Sequence, residues 1–285
     1  MRSMEVMTAK HPQDISALEN DRRFVTALAR GLEILDAFDG GGLLGNQDIA
    51  SITGLPGATV SRLTYTLASL GYLRRDEQTR KYFVGAGVLG LSASIQRSLG
   101  VQKIARGFME TLARELNVSV AMGTRDRLGV MFLEVARCDQ NVRVVHVDVG
   151  TVLPMASTAM GTAYLVAVPL AERAHLLEQI QARHSAEWDQ IRKSVEQAHS
   201  DYRKHGFVIS LRSWSRPVNA VGVPLVMPRG GGVYVFTCVA NPQAAPRERL
   251  VRELGPRLVD MVNAIRAEVD RSPPLQVVPH SVYHP

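Results

Sequence analysis

The side chains in this chain that could do chemistry are mostly hydroxyls and guanidiniums, and they cluster near the amino terminus. Between Pro56 and Gly71 there is no acidic residue, while Thr59, Ser61, Arg62, Tyr65 and Thr66 fall off the apolar stripe of Val60, Leu63, Leu67 and Leu70. A helix entering a DNA major groove needs a face free of carboxylates that carries donors and acceptors for base edges. Just beyond, Arg74, Arg75, Arg80 and Lys81 outnumber Asp76 and Glu77, a balance suited to phosphate or to the minor groove. The plainer alternative is a three-helix protein-interaction module with a solvated basic turn.

Other reactive types are sparse. No Gly-x-Ser-x-Gly elbow is present. Cys138 precedes Asp139, and Cys238 sits in an apolar run that reads as a strand with a buried structural thiol. His280 and His284 are four apart, but Pro279 and Pro285 disfavour the helix that would align them on a metal, and His199 and His205 lack ligand spacing. Neither a metal nor a cofactor is expected. Gly85-x-Gly87-x-x-Gly90 imitates a dinucleotide loop, which requires a βαβ unit with an acid ending its second strand. Glu110 falls in the middle of a helical pattern instead, so close packing of small residues is the simpler reading.

The elements that must position these residues follow from composition and periodicity. The 285 residues are 46% hydrophobic and 21% charged with net charge +6, ordinary globular chemistry for about two domains and incompatible with full disorder. The longest uncharged run, residues 149–171, carries Ser, Thr and Pro and reads as buried structure rather than a membrane span. The first residues lack the apolar segment of a secretory signal, and two cysteines fit a reducing compartment, so a cytoplasmic protein with no membrane partner is expected. The basic balance is a weak pointer to an anionic partner.

Residues 1–23 read as a flexible arm. Phe24, Ala27, Leu28, Leu32, Leu35 and Phe38 then recur at helical spacing until Gly40-Gly41-Gly42 stops them. A short helix follows, with Asn46 as N-cap and Ile49, Ala50 and Ile52 on its apolar face. After the Thr53-Gly54-Leu55-Pro56 turn comes a helix over 56–70, then two short strands at 72–75 and 81–84. That order predicts a winged helix-turn-helix over 24–84. A linker helix is expected over 85–100. The rest, 101–270, reads as one α+β domain with an antiparallel sheet. Its strands are expected at 118–122, 130–135, 142–147, 207–211, 218–225 and 233–239. Its helices are expected at 101–116, 158–168, 170–182, 187–205 and 246–269, the last kinked at Gly255-Pro256. Residues 271–285 read as a loose Pro-rich tail.

The motifs Arg30-Gly31-Leu32-Glu33-Ile34-Leu35, Ile49-Ala50, Thr53-Gly54-Leu55-Pro56, Val60, Arg62-Leu63, Leu67, Leu70-Gly71-Tyr72-Leu73 and Tyr82 resemble the DNA-binding domain of the IclR-type (isocitrate lyase regulator) transcription factors. In the second half Leu153-Pro154-Met155, Gly161-x-Ala163-x-Leu165, Gly206-Phe207, Val221-x-Val223-Pro224 and Asn241-Pro242 resemble that family's effector domain. Each motif is short; their order over residues 24–270 makes the likeness specific. The resemblance implies a GAF-like domain that binds a small organic acid, in dimers or tetramers on palindromic double-stranded promoter DNA. It implies that Thr59, Ser61, Arg62 and Tyr65 read bases. Arg74, Arg75, Arg80 and Lys81 would hold the backbone, and Arg22 or Arg23 would enter the adjacent minor groove.

By the same resemblance, an effector carboxylate would meet backbone N–H groups at Ala159 and Met160, where a loop enters its helix. Ser210, Ala220, Cys238 and Ala240 would be further pocket positions, with Met155, Met160, Trp214 and Phe236 lining an apolar cavity. Relatives that bind hydroxy- or keto-acids place an acid, a thiol and two serines at those four positions. The alanines here favour an aromatic or otherwise apolar carboxylate over a highly oxygenated one. The competing reading makes these side chains simply core. The stretch after Gly206-Phe207, acidic in relatives, is basic here through Arg212 and Arg216. That points to a multiply anionic ligand or to a subunit contact. Two other functional classes stay open: an enzyme acting on a small acid, which Ala159, Ala220 and Ala240 argue against, and a protein-docking module, which flat salt dependence would reveal.

Overall fold

The computed structural model describes residues 22–90, 100–137, 148–211, 218–228 and 232–271. The strand expected at 142–147 and most of the arm, the linker and the tail lie outside them, as does Trp214. The chain divides into two compact units between residues 98 and 99.

The first unit contains α1 (Thr26–Asp36), α2 (Asn46–Thr53), α3 (Gly57–Ser69), β1 (Leu73–Arg75) and β2 (Tyr82–Val84). Its core is Ile34, Phe38, Ile49, Val60, Leu73 and Tyr82. Gly45, not Asn46, caps α2, and the Asp48 carboxylate accepts its N–H at 2.8 Å. That bond, followed by the nearby Lys81, holds the Asp48 carboxyl below its ordinary range. Gly54 closes α2 in the left-handed conformation at φ 70°, which allows the sharp turn into α3. β1 and β2 pair antiparallel as the wing. Leu44 and Tyr82 exchange backbone hydrogen bonds of 2.9 and 2.8 Å, so the segment before α2 adds a further rung. Leu70, on the apolar stripe expected to face the core, stands 64% exposed, and Leu28 and Leu32 of the first apolar repeat stand 63% and 55% exposed. Periodicity reports which face of a helix is apolar and is silent on what covers it.

The second unit is a six-stranded antiparallel sheet between two helical layers. Its strands are β3 (Ser119–Asp126), β4 (Gly129–Ala136), β5 (Val152–Pro154), β6 (Val208–Leu211), β7 (Asn219–Val226) and β8 (Val233–Ala240), in the order β5-β4-β3-β8-β7-β6. One face packs on α4 (Gly100–Leu116) and on the C-terminal helix α8 (Gly255–Arg271). The other packs on α5 (Ala159–Ala167), α6 (Leu170–Arg183) and α7 (Trp188–His205). β5 was not anticipated, because three residues are too few to show alternation.

Two departures from regular packing shape this domain. In place of the kink expected at Gly255-Pro256 there is a π-turn, Leu250–Leu254, with Gly255 N–H bonded to Leu250 O. Pro256 has no N–H to continue the α ladder, and the widened turn accommodates it. Gly255 also lies against the Phe207 ring, where any Cβ would overlap it. α5 comes unusually close to the sheet at Gly222: a Cβ there would lie 2.6 Å from Ala159 O and 3.0 Å from the Ala163 Cβ.

Candidate DNA-reading surface and effector site

α3 presents its polar face outward. Ser61, Arg62 and Tyr65 are exposed, Tyr65 by 73%, and Thr59 is half-exposed one turn from Arg62. Among the described residues Arg62 has no ion-pair or side-chain hydrogen-bond partner, so its guanidinium is available. The hydroxyls of Thr66 and Ser69 are not, since they donate to Arg62 O at 3.0 Å and Tyr65 O at 2.9 Å on their own helix. Thr64, which the sequence did not single out, is buried. Its hydroxyl shares its one proton between Val60 O at 2.9 Å and Asn46 Oδ1 at 3.2 Å, tying α3 to the start of α2. A hydroxyl four residues after a core valine was the available signal.

The wing holds two of its arginines against aromatic rings. Arg74 lies over the Phe83 ring and Arg75 over Tyr82, each with 5.7 Å from guanidinium carbon to ring centroid. Asp76 accepts both the N–H and the hydroxyl of Thr79 at 2.7 Å, which fixes the tip. Arg80 takes the left-handed conformation at φ 61°. Lys81 pairs with Asp48 of α2 at 3.3 Å, both side chains about half-exposed. Arg22 and Arg23 lie exposed in a turn ahead of α1. The glycine motif behind the wing is structural. Gly85 N–H bonds to Tyr72 O at 2.8 Å and Gly87 N–H to Gly71 O at 3.1 Å. A side chain at either glycine would strike the Gly71 carbonyl.

The residues expected to line an effector pocket do not all come together. Met155, Ala159, Met160 and Ala220 belong to one apolar cluster under α5. Ser210 is cross-strand neighbour to Ala220 on that face. Phe236, Cys238 and Ala240 are corrections: they pack in the opposite cluster, with α4 and α8. Strand alternation reverses with a shift of one residue, so on β8 it is Val235, Thr237 and Val239 that face α5. Burial raises the Cys238 thiol to about 12, which suits an inert core residue. At the start of α5 the Thr158 hydroxyl accepts Gly161 N–H at 3.1 Å and donates to Pro154 O at 2.8 Å. The N–H groups of Ala159 and Met160 find no acceptor among the described residues, leaving an anion-ready helix terminus. No metal-binding cluster of His, Cys, Asp or Glu occurs among the described residues. None of their helices is long and apolar enough to cross a membrane.

A winged helix-turn-helix joined to a sheet domain with a buried helix terminus defines a DNA-binding regulator with an effector domain. Comparison with known proteins agrees. Residues 27–77 match the IclR helix-turn-helix domain, and residues 93–267 match the C-terminal domain of the bacterial transcriptional regulator IclR. The chain belongs to the IclR family of transcriptional regulators; it is a DNA-binding regulator and not an enzyme. It is 43% identical over 263 residues to the HTH-type transcriptional regulator TsaQ1/TsaQ2 of Comamonas testosteroni, covering 92% of this chain and 95% of that one. The crystal structure of an IclR family transcriptional regulator from Brucella abortus is 40% identical with TM-score 0.75, covering 94% of this chain and 99% of that one. An IclR homologue from Microbacterium hydrocarbonoxydans, solved with 4-hydroxybenzoate, shares the fold at 19% identity and TM-score 0.66, covering 85% and 99%.

Proposed function

We propose that the chain is a cytoplasmic, ligand-responsive regulator of a catabolic operon that binds palindromic promoter DNA as a homodimer or homotetramer. The observation that carries the DNA reading is Arg62, exposed on an acid-free helix between Ser61 and Tyr65 and without a side-chain partner among the described residues. In this reading Thr59, Ser61, Arg62 and Tyr65 meet base edges, and Arg74, Arg75 and Arg80 hold phosphates. Lys81 exchanges Asp48 for a phosphate, and Arg22 or Arg23 enters the neighbouring minor groove.

The effector is a small aromatic or otherwise apolar carboxylate. Its charge sits on the N–H groups of Ala159 and Met160, and its body lies among Met155, Met160 and Ala220. Ser210, Thr237 and Val239 complete the wall from the sheet. So few polar groups suit a ligand with one charged end. 4-Hydroxybenzoate, held by the Microbacterium protein, is of this class. Selection of bound fragments from the source genome, with wild-type and Arg62→Ala proteins side by side, tests the reading. The expected result is one palindromic site upstream of a catabolic operon, enriched by wild type only and altered by aromatic acids. Absence of enrichment with and without such acids refutes it.

A further inference from the structure

A second candidate ligand site lies away from the start of α5, in a cleft of about 460 Å³ between α6 and α7. That volume is in the range of small-molecule sites. Its floor is apolar, formed by Leu177, Val195 and Trp188, and three guanidiniums stand around it, from Arg173, Arg192 and Arg203. A single carboxylate, Glu196, answers them, and it is engaged by Arg192 at 3.0 Å. Arg203 forms no hydrogen bond or ion pair among the described residues. Arg173 spends a donor on the His199 ring, Nη1 to Nε2 at 2.9 Å. A guanidinium can only donate, so Nε2 accepts there and His199 is the neutral Nδ1–H tautomer. Among the described residues Arg173 forms no ion pair with a carboxylate, so this contact leaves its positive charge unanswered there. Burial first, then Arg173 and Arg203, lower the His199 pKa, in keeping with a site whose positive charge is in excess.

Another cleft, about 560 Å³ between α4 and α8, has no such imbalance: Arg257 pairs with Glu115, and Asp260 stands beside them. An excess of forked cationic donors over an apolar floor with an indole face matches a particular chemistry. Guanidinium pairs grip planar oxyanions, and an aromatic body gains from an indole and two aliphatic side chains.

We propose that the α6–α7 cleft binds a small planar organic anion, its oxyanion between Arg173 and Arg203 and its body on Trp188, Val195 and Leu177. This site is separate from the effector site at the start of α5 and does not depend on it.

The probe is benzoate, titrated into the full-length protein carrying Trp214→Phe, so that Trp188 is the sole tryptophan. Benzoate should change Trp188 emission saturably, and Arg173→Gln and Arg203→Gln should each weaken the response by about tenfold or more. Arg203→Lys should recover part of it, which a folding defect would not do. Benzamide, the same body without the charge, should fail to saturate, and inorganic phosphate, charge without the body, should bind about tenfold more weakly or worse. An unresponsive Trp188, arginine variants that titrate like their parent, or benzamide or phosphate matching benzoate would overturn the proposal.

Discussion

At the scale of single residues, what matters here is which polar groups are left without a partner. Thr64, Thr66 and Ser69 spend their hydroxyls on backbone carbonyls, whereas Arg62 has no side-chain partner among the described residues. In the proposed interface, Arg62→Ala should lower affinity for the selected site by about 1–3 kcal/mol while barely affecting scrambled DNA. Fluorescence anisotropy on both duplexes reads this, and equal losses would make Arg62 a phosphate contact. His199 gives a second residue-level expectation. Its pKa is lowered in the folded chain, so below its ordinary value of 6.5 the unfolded chain binds more protons than the folded one. Stability from this group is therefore complete above that pH and is lost as the pH falls. Melting temperature should decline as buffers become more acidic, and less steeply in His199→Gln. Parallel curves for the two proteins would show that His199 does not drive the decline.

At the scale of elements, glycines decide how closely the layers approach. Gly255 lets the π-turn and α8 settle on the Phe207 ring, with no space for a methyl group between them. Gly255→Ala should destabilise the domain by about 1–3 kcal/mol, the usual cost of overpacking. Adding Phe207→Leu, which shrinks the opposing side chain, should restore part of that loss. Urea titration of both variants checks the pair, and additive losses would place the strain elsewhere. The short β5 and the rung at Leu44 belong to the same scale. Both pair as β-structure only because a neighbour supplies hydrogen-bond partners, and neither has a periodic signal of its own.

At the scale of the whole molecule, the apolar stripe of α1 bears on assembly. Val25, Leu28 and Leu32 are 61%, 63% and 55% exposed, an apolar run that monomeric proteins seldom leave uncovered. In the proposed homo-oligomer a second copy covers it. Leu28→Glu with Leu32→Glu should reduce the oligomeric state seen by sedimentation and lower affinity for a two-half-site operator more than for a single half-site. An unchanged sedimentation profile would put the subunit contact on another surface.

The order of elements in the DNA-binding unit, the acid-free face of α3, the basic wing and most of the helices and strands described beyond residue 100 were legible from periodicity, glycine stops and charge. These are local properties, set by which side chains recur every two or every three to four residues. The proposed effector site was legible only in part. Alternation along β8 identifies two faces and does not say which of them meets α5. The choice between Cys238 and its neighbours Thr237 and Val239 was decided by the pairing of β8 with β3 and β7 and by the layer packed on each face. The Gly85-x-Gly87-x-x-Gly90 spacing had two readings until Gly71 and Tyr72, far enough back in sequence to be missed by any motif, proved to occupy those N–H groups. The α6–α7 cleft depends on the same kind of fact. Arg173 and His199 are 26 residues apart, and only the packing of two helices makes them neighbours.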